Sequence, residues 1–426
     1  MTLGPRTFSP FLAGILVLWP IIAYMGAQGY TGAVAIAALL GLVYVRVRGI
    51  RVYAVAAIAF VAWVVAAGFW APEAKALLIG DIREGSFSMD MPGIRFGLTA
   101  LAGLGVIAAV SAVAENSSRI SLGAIIGVAL VQFIGVVVTA LFTPQILAWL
   151  APISDPVLEM PQNLIRNANA FMLLLPFLLA WIWHRKNDYW RMTALALGII
   201  SFAAFAQTGT QTGLTGTALM LVCMAIIKLW PKSGFRILFS GLAVYVTLAP
   251  LLLGWGVAQL RGFGIPLPQS FFSRTYSWEL VREKVSEAPI FGHGLEASYT
   301  WTDTYGDHPD WLADAVTRYN ADVAFAWEVY PVVPGHPHNM PLQVWAETGM
   351  IGACLGAIFL FFLGWRLKAP SQWSPISRYA AAGLVGVCFA VSSFAYSMWN
   401  EAFWASAMLA TAVIFLQARH DGEAKA

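Results

Sequence analysis

The hydrophobic positions of this chain fall into long runs that polar or basic residues interrupt at intervals. Most runs approach the length of about twenty residues that an α-helix needs to cross a bilayer. They predict about twelve membrane-spanning helices, numbered in chain order, and therefore an all-α integral membrane protein. The predicted spans cover roughly residues 8–27, 30–45, 52–70, 96–113, 120–142, 168–184, 192–207, 213–229, 237–257, 340–364, 379–396 and 399–418. We expect the first run to be a span and not a cleaved signal peptide, because no small-residue cleavage site follows it.

A long polar segment separates the ninth predicted span from the tenth. Residues 1–257 hold the first nine spans, residues 258–339 form the loop, and residues 340–426 hold the last three spans and a tail. The loop contains "SFFSRTYSWELVREKVSEAP", in which Arg274, Trp278 and Arg282 are spaced by four. This spacing predicts a helix inside the loop.

Composition excludes a soluble globular domain, because 59% of the residues are hydrophobic, only 11% are charged and the mean hydropathy is +0.70. The three cysteines lie inside predicted spans, in neither a disulfide nor a metal-binding spacing. The net charge of +3 gives no indication of a nucleic-acid partner.

Basic residues predict the orientation in the membrane. With the N-terminus inside, most of the 25 Lys and Arg residues lie in the inner segments, and most of the outer ones lie in the single long loop. Because cytoplasmic loops carry an excess of Lys and Arg, we expect both termini in the cytoplasm and the long loop outside.

Polar side chains at the predicted outer ends of the spans form four groups. The groups are Arg166, Asn167 and Asn169 at the mouth of span six; Thr210 and Gln211 before span eight; Arg274 and Trp278 in the loop; and His338, Asn339, Gln343 and Glu347 at span ten. The last three residues are spaced by four and share one helix face. Polar groups at membrane depth usually line a cavity. Since all four groups open to the same side, we expect an outward-facing active site.

Three alternatives stay open at this point. His338 and Asn339 could serve only to cap a helix. His336 and His338 could hold a metal ion with an aspartate of the loop (Asp303, Asp307 or Asp310), although two histidines two positions apart are not a recognised metal spacing, so no metal is expected. About twelve spans also occur in transporters, but their sites usually lie at the membrane midplane.

Two stretches carry a family resemblance. "SRTYSWELVREKVSEAPIFGHG", followed by "HPHNMPLQVWAETGMIG", resembles the O-antigen ligase and polymerase superfamily of bacterial envelope glycosyltransferases. The shared pattern is Ser-Arg, a Trp four residues on, Pro-x-x-Gly-x-Gly, His-x-His-Asn, Leu-Gln and Glu-x-Gly-x-x-Gly. "NANAF" is similar to an Asn-containing stretch of the family. The hairpin "TGTQTG" departs from it, because Thr210 or Gln211 stands where an arginine is common.

The resemblance implies a GT-C-type glycosyltransferase of the bacterial inner membrane with its site at the periplasmic face. The donor would be a glycan linked to undecaprenyl pyrophosphate. The acceptor would be the lipid A–core oligosaccharide for a ligase, which we expect, or another lipid-linked repeat unit for an O-antigen or exopolysaccharide polymerase. Transfer would be inverting and would need neither a metal nor another cofactor.

The chemistry assigns provisional roles to the candidate residues. Arg274, with Arg166 as second choice, would hold the leaving pyrophosphate, because a guanidinium can bind two phosphate oxygens at once. His338 would take the proton of the attacking hydroxyl. The amides of Asn339 and Gln343 would orient the histidine or bind sugar hydroxyls. We expect His338 rather than His336 to be required, because span ten fixes its position while His336 lies in the preceding loop.

Overall fold

The structure is a computed structural model that describes residues 8–44, 52–73, 90–112, 115–150, 159–262, 269–307, 331–366 and 373–421. Across these ranges the chain is helical, and the described residues contain no β-strand beyond an isolated bridge between Thr304 and Pro331. The predicted all-α architecture is therefore confirmed.

Fifteen α-helices make up the described part of the chain. They are α1 Phe8–Val17, α2 Trp19–Tyr24, α3 Gly29–Gly41, α4 Val52–Ala67, α5 Pro92–Ser111, α6 Glu115–Leu141, α7 Thr143–Leu150, α8 Glu159–Trp183, α9 Asp188–Gln207, α10 Gln211–Leu229, α11 Gly234–Gly262, α12 Gln269–Glu287, α13 Met340–Arg366, α14 Pro375–Phe394 and α15 Glu401–His420.

Ten helical segments in the described ranges are long and apolar enough to cross a membrane, which fits a multi-pass membrane protein. Two shorter apolar segments, Phe8–Tyr24 and Gly29–Gly41, coincide with the first two predicted spans. The total of about twelve spans stays a prediction.

One helix start differs clearly from the sequence prediction. Helix α8 begins at Glu159, well before the predicted span at 168, so Arg166, Asn167 and Asn169 all lie inside the helix. Its first turns are too polar to belong to an apolar run, yet Leu164 and Ala168 are buried and keep helical spacing. The predicted loop helix exists as α12, which begins at Gln269.

Neighbouring helices are antiparallel in the pairs that carry the site. In the pair α11 and α13, the Trp345 indole donates a hydrogen bond to the Val246 carbonyl at 2.8 Å, while Gly364 packs against Phe239. The end of α11 therefore lies beside the start of α13. The same end of the bundle contains the end of α14 and the start of α15, which follow each other directly in the chain.

Helix α13 is broken at Gly349, where the backbone is non-helical with φ 67° and ψ −170°. The turn that follows α12 fits into this break. The His293 N–H donates to the Ala346 carbonyl at 2.8 Å, and the Met350 N–H donates to the Pro289 carbonyl at 2.9 Å. A side chain at Gly349 would collide with the backbone of that turn. Because each motif supplies partners for the other, Pro-x-x-Gly-x-Gly and Glu-x-Gly-x-x-Gly form one structural unit.

Candidate active site

The loop Gly335–Asn339, which leads into α13, is held from two sides. The Trp278 indole of α12 donates to the Pro337 carbonyl at 2.9 Å, and the Ser298 hydroxyl donates to the Gly335 carbonyl at 2.6 Å. Trp278 is buried, so the structure places it as a support of this loop. Both residues that flank His336 thus accept hydrogen bonds from other segments, and the lesser importance of His336 stays a prediction.

His338 is held in a conformation that few non-glycine residues adopt, with φ 51°. Its Nδ1 lies 2.7 Å from the Ala395 carbonyl oxygen, which can only accept, so Nδ1 carries the proton. In the neutral ring Nε2 then carries the lone pair. An energetically unfavourable backbone conformation that the surroundings enforce is a feature of functional sites.

Burial lowers the pKa of His338, and the positive charge of Arg274 lowers it further, while the hydrogen bond to Ala395 opposes both. Burial, together with the charges of His338 and Arg274, lowers the pKa of His336 to about 3. The Nδ1 of His336 accepts the backbone N–H of His338 at 3.1 Å, and the two ring centroids are 4.2 Å apart. Both rings are thus neutral near pH 7, and that of His338 can act as a base.

Arg274, on α12, is half-buried, and its positive charge acts on both histidines. Its Nε and Nη1 atoms are buried and have no hydrogen-bond partner among the described residues. Burial lowers the pKa of Arg274 from its usual value, but a guanidinium remains charged at neutral pH. The guanidinium carbon lies 5.6 Å from the centroid of the Phe271 ring, but that ring offers no hydrogen-bond acceptor in the ordinary sense, and burying N–H groups without an acceptor is costly. An anionic ligand at this position would remove that cost.

Asn339 is the N-terminal cap of α13. Its Oδ1 accepts the Leu342 N–H at 3.0 Å, and its Nδ2 donates to the Tyr245 hydroxyl at 2.8 Å. The capping alternative therefore holds for Asn339, while the side chain of His338 bonds to α14 and caps nothing in α13. Contact between Asn339 and a substrate stays a prediction.

Glu347 is fully buried and accepts hydrogen bonds from four donors. Its Oε1 accepts from Gln343 and from Ser298, each at 3.0 Å, and Ser298 shares its single proton between this oxygen and the Gly335 carbonyl. Its Oε2 accepts from the Glu296 N–H at 2.7 Å and from the Trp399 indole at 2.5 Å. Glu347 therefore joins the segment after α12 to the segment between α14 and α15.

Gln343 extends this network by one helical turn. Its Nε2 also donates to the Ser397 hydroxyl at 3.1 Å, and its Oε1 accepts the Met398 N–H at 2.8 Å. The polar stripe predicted along α13 is present and buried. Its amides and carboxylate bind protein groups, and binding of a substrate by Gln343 or Glu347 stays a prediction.

Residues 395–400, between α14 and α15, are the component that sequence reasoning missed. This segment supplies the carbonyl that holds His338, the partners of Gln343 and the indole that binds Glu347. The signal in the sequence is "AYSMWN", a short polar and aromatic stretch between two apolar runs. A reading based on apolar runs treats such a stretch as a simple turn.

The predicted site residues on α8 lie on different sides of the helix and have different partners. The Asn169 amide donates to the Tyr396 hydroxyl at 3.2 Å, so it faces the 395–400 segment. Asn167 is buried against Gln132 of α6, with which it is hydrogen-bonded. Asn167 and Asn169 thus point to different neighbours.

Arg166 uses part of its guanidinium within its own helix, donating to the Asn163 amide oxygen at 3.1 Å. Its positive charge also acts on Tyr396. Pyrophosphate binding by Arg166, in place of the arginine that the hairpin lacks, stays a prediction.

Thr210 and Gln211 lie where α9 turns into α10. Thr210 is buried, and its hydroxyl lies 2.9 Å from that of Thr208. The turn lies near the level of Asn169 on α8, since the Phe205 ring packs against Phe171, two residues further along, at 6.2 Å between centroids. It therefore belongs to the same end of the bundle as Asn169.

The described residues contain no group of three His, Cys, Asp or Glu side chains that could hold an ion, and Asp310 lies outside the described ranges.

Together, the fold and the site define an all-helical membrane protein with a guanidinium and a neutral imidazole gathered at one end of its bundle. Residues 195–357 match the family model described as O-antigen ligase, and the match spans α12, the loop Gly335–Asn339 and the break in α13. The superfamily predicted from the two motifs is confirmed, and with it a membrane enzyme of the glycosyltransferase kind. A comparison with curated proteins gives no match.

Proposed function

We propose that the protein is a GT-C-type glycosyltransferase that moves a glycan from undecaprenyl pyrophosphate to the lipid A–core oligosaccharide. The observation that carries the proposal is the Arg274 guanidinium, whose buried Nε and Nη1 have no hydrogen-bond partner among the described residues, beside the neutral His338. In such a pair, the guanidinium can bind an anion and the imidazole can take a proton from a nucleophile. The O-antigen ligase match over residues 195–357 supports the same reaction class.

The proposed reaction is a single displacement at the anomeric carbon. The bond from this carbon to the pyrophosphate oxygen breaks, and the electron pair leaves with the pyrophosphate. Arg274 stabilises the negative charge that develops there. A hydroxyl of the acceptor forms the new glycosidic bond, and its proton passes to Nε2 of His338. Attack opposite to the leaving group inverts the anomeric centre, and the fixed positive charge does the work without a metal.

The proposed setting is the inner membrane, with the site end of the bundle at the periplasmic face. The basic residues support this orientation, since Arg185, Lys186 and Lys232 lie in turns that the direction of their helices puts at the other end of the bundle. Both chain termini would then lie in the cytoplasm. The polyprenyl tail of the donor would remain in the lipid.

A polymerase of O-antigen or exopolysaccharide would use the same chemistry with a different acceptor. The glycans of a strain that lacks the gene distinguish a ligase from a polymerase. Loss of a ligase leaves lipid-linked polymer and uncapped lipopolysaccharide, whereas loss of a polymerase leaves single repeat units.

Arg274→Ala tests the proposal at its main residue. Losing a charge-assisted contact made mainly in the transition state costs about 3–4 kcal/mol, which is a rate loss of roughly a hundred- to a thousandfold. Arg274→Lys should restore little, because an ammonium is a point charge without two parallel donors. Arg282→Ala, at an exposed position two turns further along α12, is the matched control. Transfer by Arg274→Lys at the wild-type rate would contradict the role of the guanidinium.

A further inference from the structure

A small pocket opens at the site end of the bundle, bounded by the turn between α2 and α3, by α8 and by the start of α15. Its polar wall includes Arg166, Asn169 and Tyr396. It encloses about 20 Å³, which is room for one water-sized group. Tyr396 directly follows Ala395, whose carbonyl holds His338, so the pocket adjoins the proposed reaction site.

The amide of Asn169 is incompletely satisfied. The residue is 3% exposed, and its Oδ1 has no hydrogen-bond partner among the described residues. Its Nδ2 donates to the Tyr396 hydroxyl at 3.2 Å, which leaves the phenol proton available to a ligand. Burial raises the pKa of Tyr396, so the phenol keeps this proton at neutral pH. The Tyr396 ring itself is fixed against Phe403, with 5.8 Å between centroids.

The pair formed by Asn169 and Tyr396 offers one donor and one acceptor, whichever way the amide is turned. With Nδ2 towards the phenol, the free groups are the amide oxygen and the phenol proton. With the amide reversed, they are the amide N–H and the phenol oxygen. A hydroxyl group both donates and accepts, so it satisfies both free groups at once. A phosphate oxygen can only accept hydrogen bonds. It would therefore satisfy the free donor of the pair but would repel the lone pair of the free acceptor.

We infer that this pocket binds one hydroxyl group of a sugar, with the sugar ring across the pocket mouth. Arg166 lies at the wall, where the remaining guanidinium N–H groups can donate to a further sugar oxygen. This division separates sugar recognition by Asn169 and Tyr396 from pyrophosphate binding by Arg274. The identity of the sugar, on the donor or on the acceptor, rests on the proposed function; the chemical class of the ligand does not.

The test measures binding by the purified full-length protein in detergent, using saturation-transfer NMR titrations. Three probes are used: the O-glycan released from its lipid, the core oligosaccharide released from lipid A, and inorganic pyrophosphate. Tyr396→Phe removes the hydroxyl with little change in volume, and Asn169→Leu replaces the two polar atoms of the amide by methyl groups with the same branching. We expect each to weaken the binding of one of the two sugars roughly three- to tenfold, the usual value of one or two neutral hydrogen bonds.

Tyr379→Phe is the matched control, because Tyr379 stacks on His184 at the opposite end of α14 and should leave sugar binding unchanged. If the variants weaken binding of the O-glycan, the pocket lies on the donor side. If they weaken binding of the core oligosaccharide, it lies on the acceptor side. Wild-type sugar binding by both variants overturns the inference, as does a variant effect on pyrophosphate without one on sugar. So does the absence of sugar binding to the wild-type protein.

The same titrations separate this inference from the proposed function. Arg274→Ala should keep sugar binding while losing transfer. If the wild-type protein transfers nothing, yet Tyr396→Phe still weakens sugar binding, the pocket stands and the proposed reaction falls.

Discussion

Glu347→Gln perturbs the point where three segments of the site end are tied together. The carboxylate accepts from the Glu296 N–H, the Gln343 amide and the Trp399 indole, none of which can accept in return. Ser298 is the fourth partner, and its hydroxyl also reaches the Gly335 carbonyl. A glutamine replaces one of the two acceptor oxygens by an NH2 group that can only donate.

The less costly orientation puts the new NH2 group at the Oε1 position. Ser298 can then accept from it, because the Ser298 proton can remain on Gly335. Gln343 cannot adapt, since reversing its amide would break the bond between its Oε1 and the Met398 N–H. One buried donor is therefore left unsatisfied, at a cost of about 1–3 kcal/mol in the free energy of unfolding.

Thermal unfolding of the purified variant measures this loss, and we expect an apparent melting temperature several degrees below that of the wild type. Transfer activity should fall as well, because the segments that position His338 would loosen. Glu283→Gln, an exposed carboxylate on α12, is the matched control and should melt like the wild type. A Glu347→Gln variant with wild-type melting and activity would refute the reasoning.

Two further predictions concern orientation and protonation. The first test places a single cysteine at exposed Glu73 or at exposed Lys232, in a background without the three native cysteines. On intact spheroplasts, the cysteine at 73 should react with an impermeant thiol reagent and the cysteine at 232 should not. Labelling at position 232 alone would show that the orientation is the opposite one. The second test measures the transfer rate over a pH series. The rate should begin to fall only at a pH below the usual histidine pKa of about 6.5, because burial and Arg274 lower the pKa of His338, whose neutral form is the base. A fall in rate centred above that value would contradict this assignment.

The sequence was sufficient for the class of fold and for the end of the bundle that carries the site. Hydrophobic runs predict helices of membrane length because this signal is local and strong. The motif residues Arg274 and His338 come together as expected, since the charge of Arg274 acts on the His338 ring. The polar stripe of α13 also follows from its spacing by four, while capping by Asn339 was one of the alternatives that the sequence left open.

Long-range partners could not be predicted in the same way. Nothing in the local pattern shows that Ala395 holds His338, or that Trp399 binds Glu347. The break at Gly349 has the same cause, because it depends on backbone partners in the turn after α12. The polar start of α8 was missed since its helical pattern is carried by only a few buried positions.

Transfer by His338→Gln, compared with His336→Asn, tests the central claim most directly. Glutamine can keep a donor to the Ala395 carbonyl but cannot take a proton, whereas asparagine at 336 can still accept the His338 N–H. General-base help is worth about a hundred- to ten-thousandfold in rate, so His338→Gln should lose activity on that scale in a purified transfer assay, while His336→Asn keeps most of it. Near-normal turnover by His338→Gln would mean that the imidazole only positions the loop, and the proposed reaction would need another base.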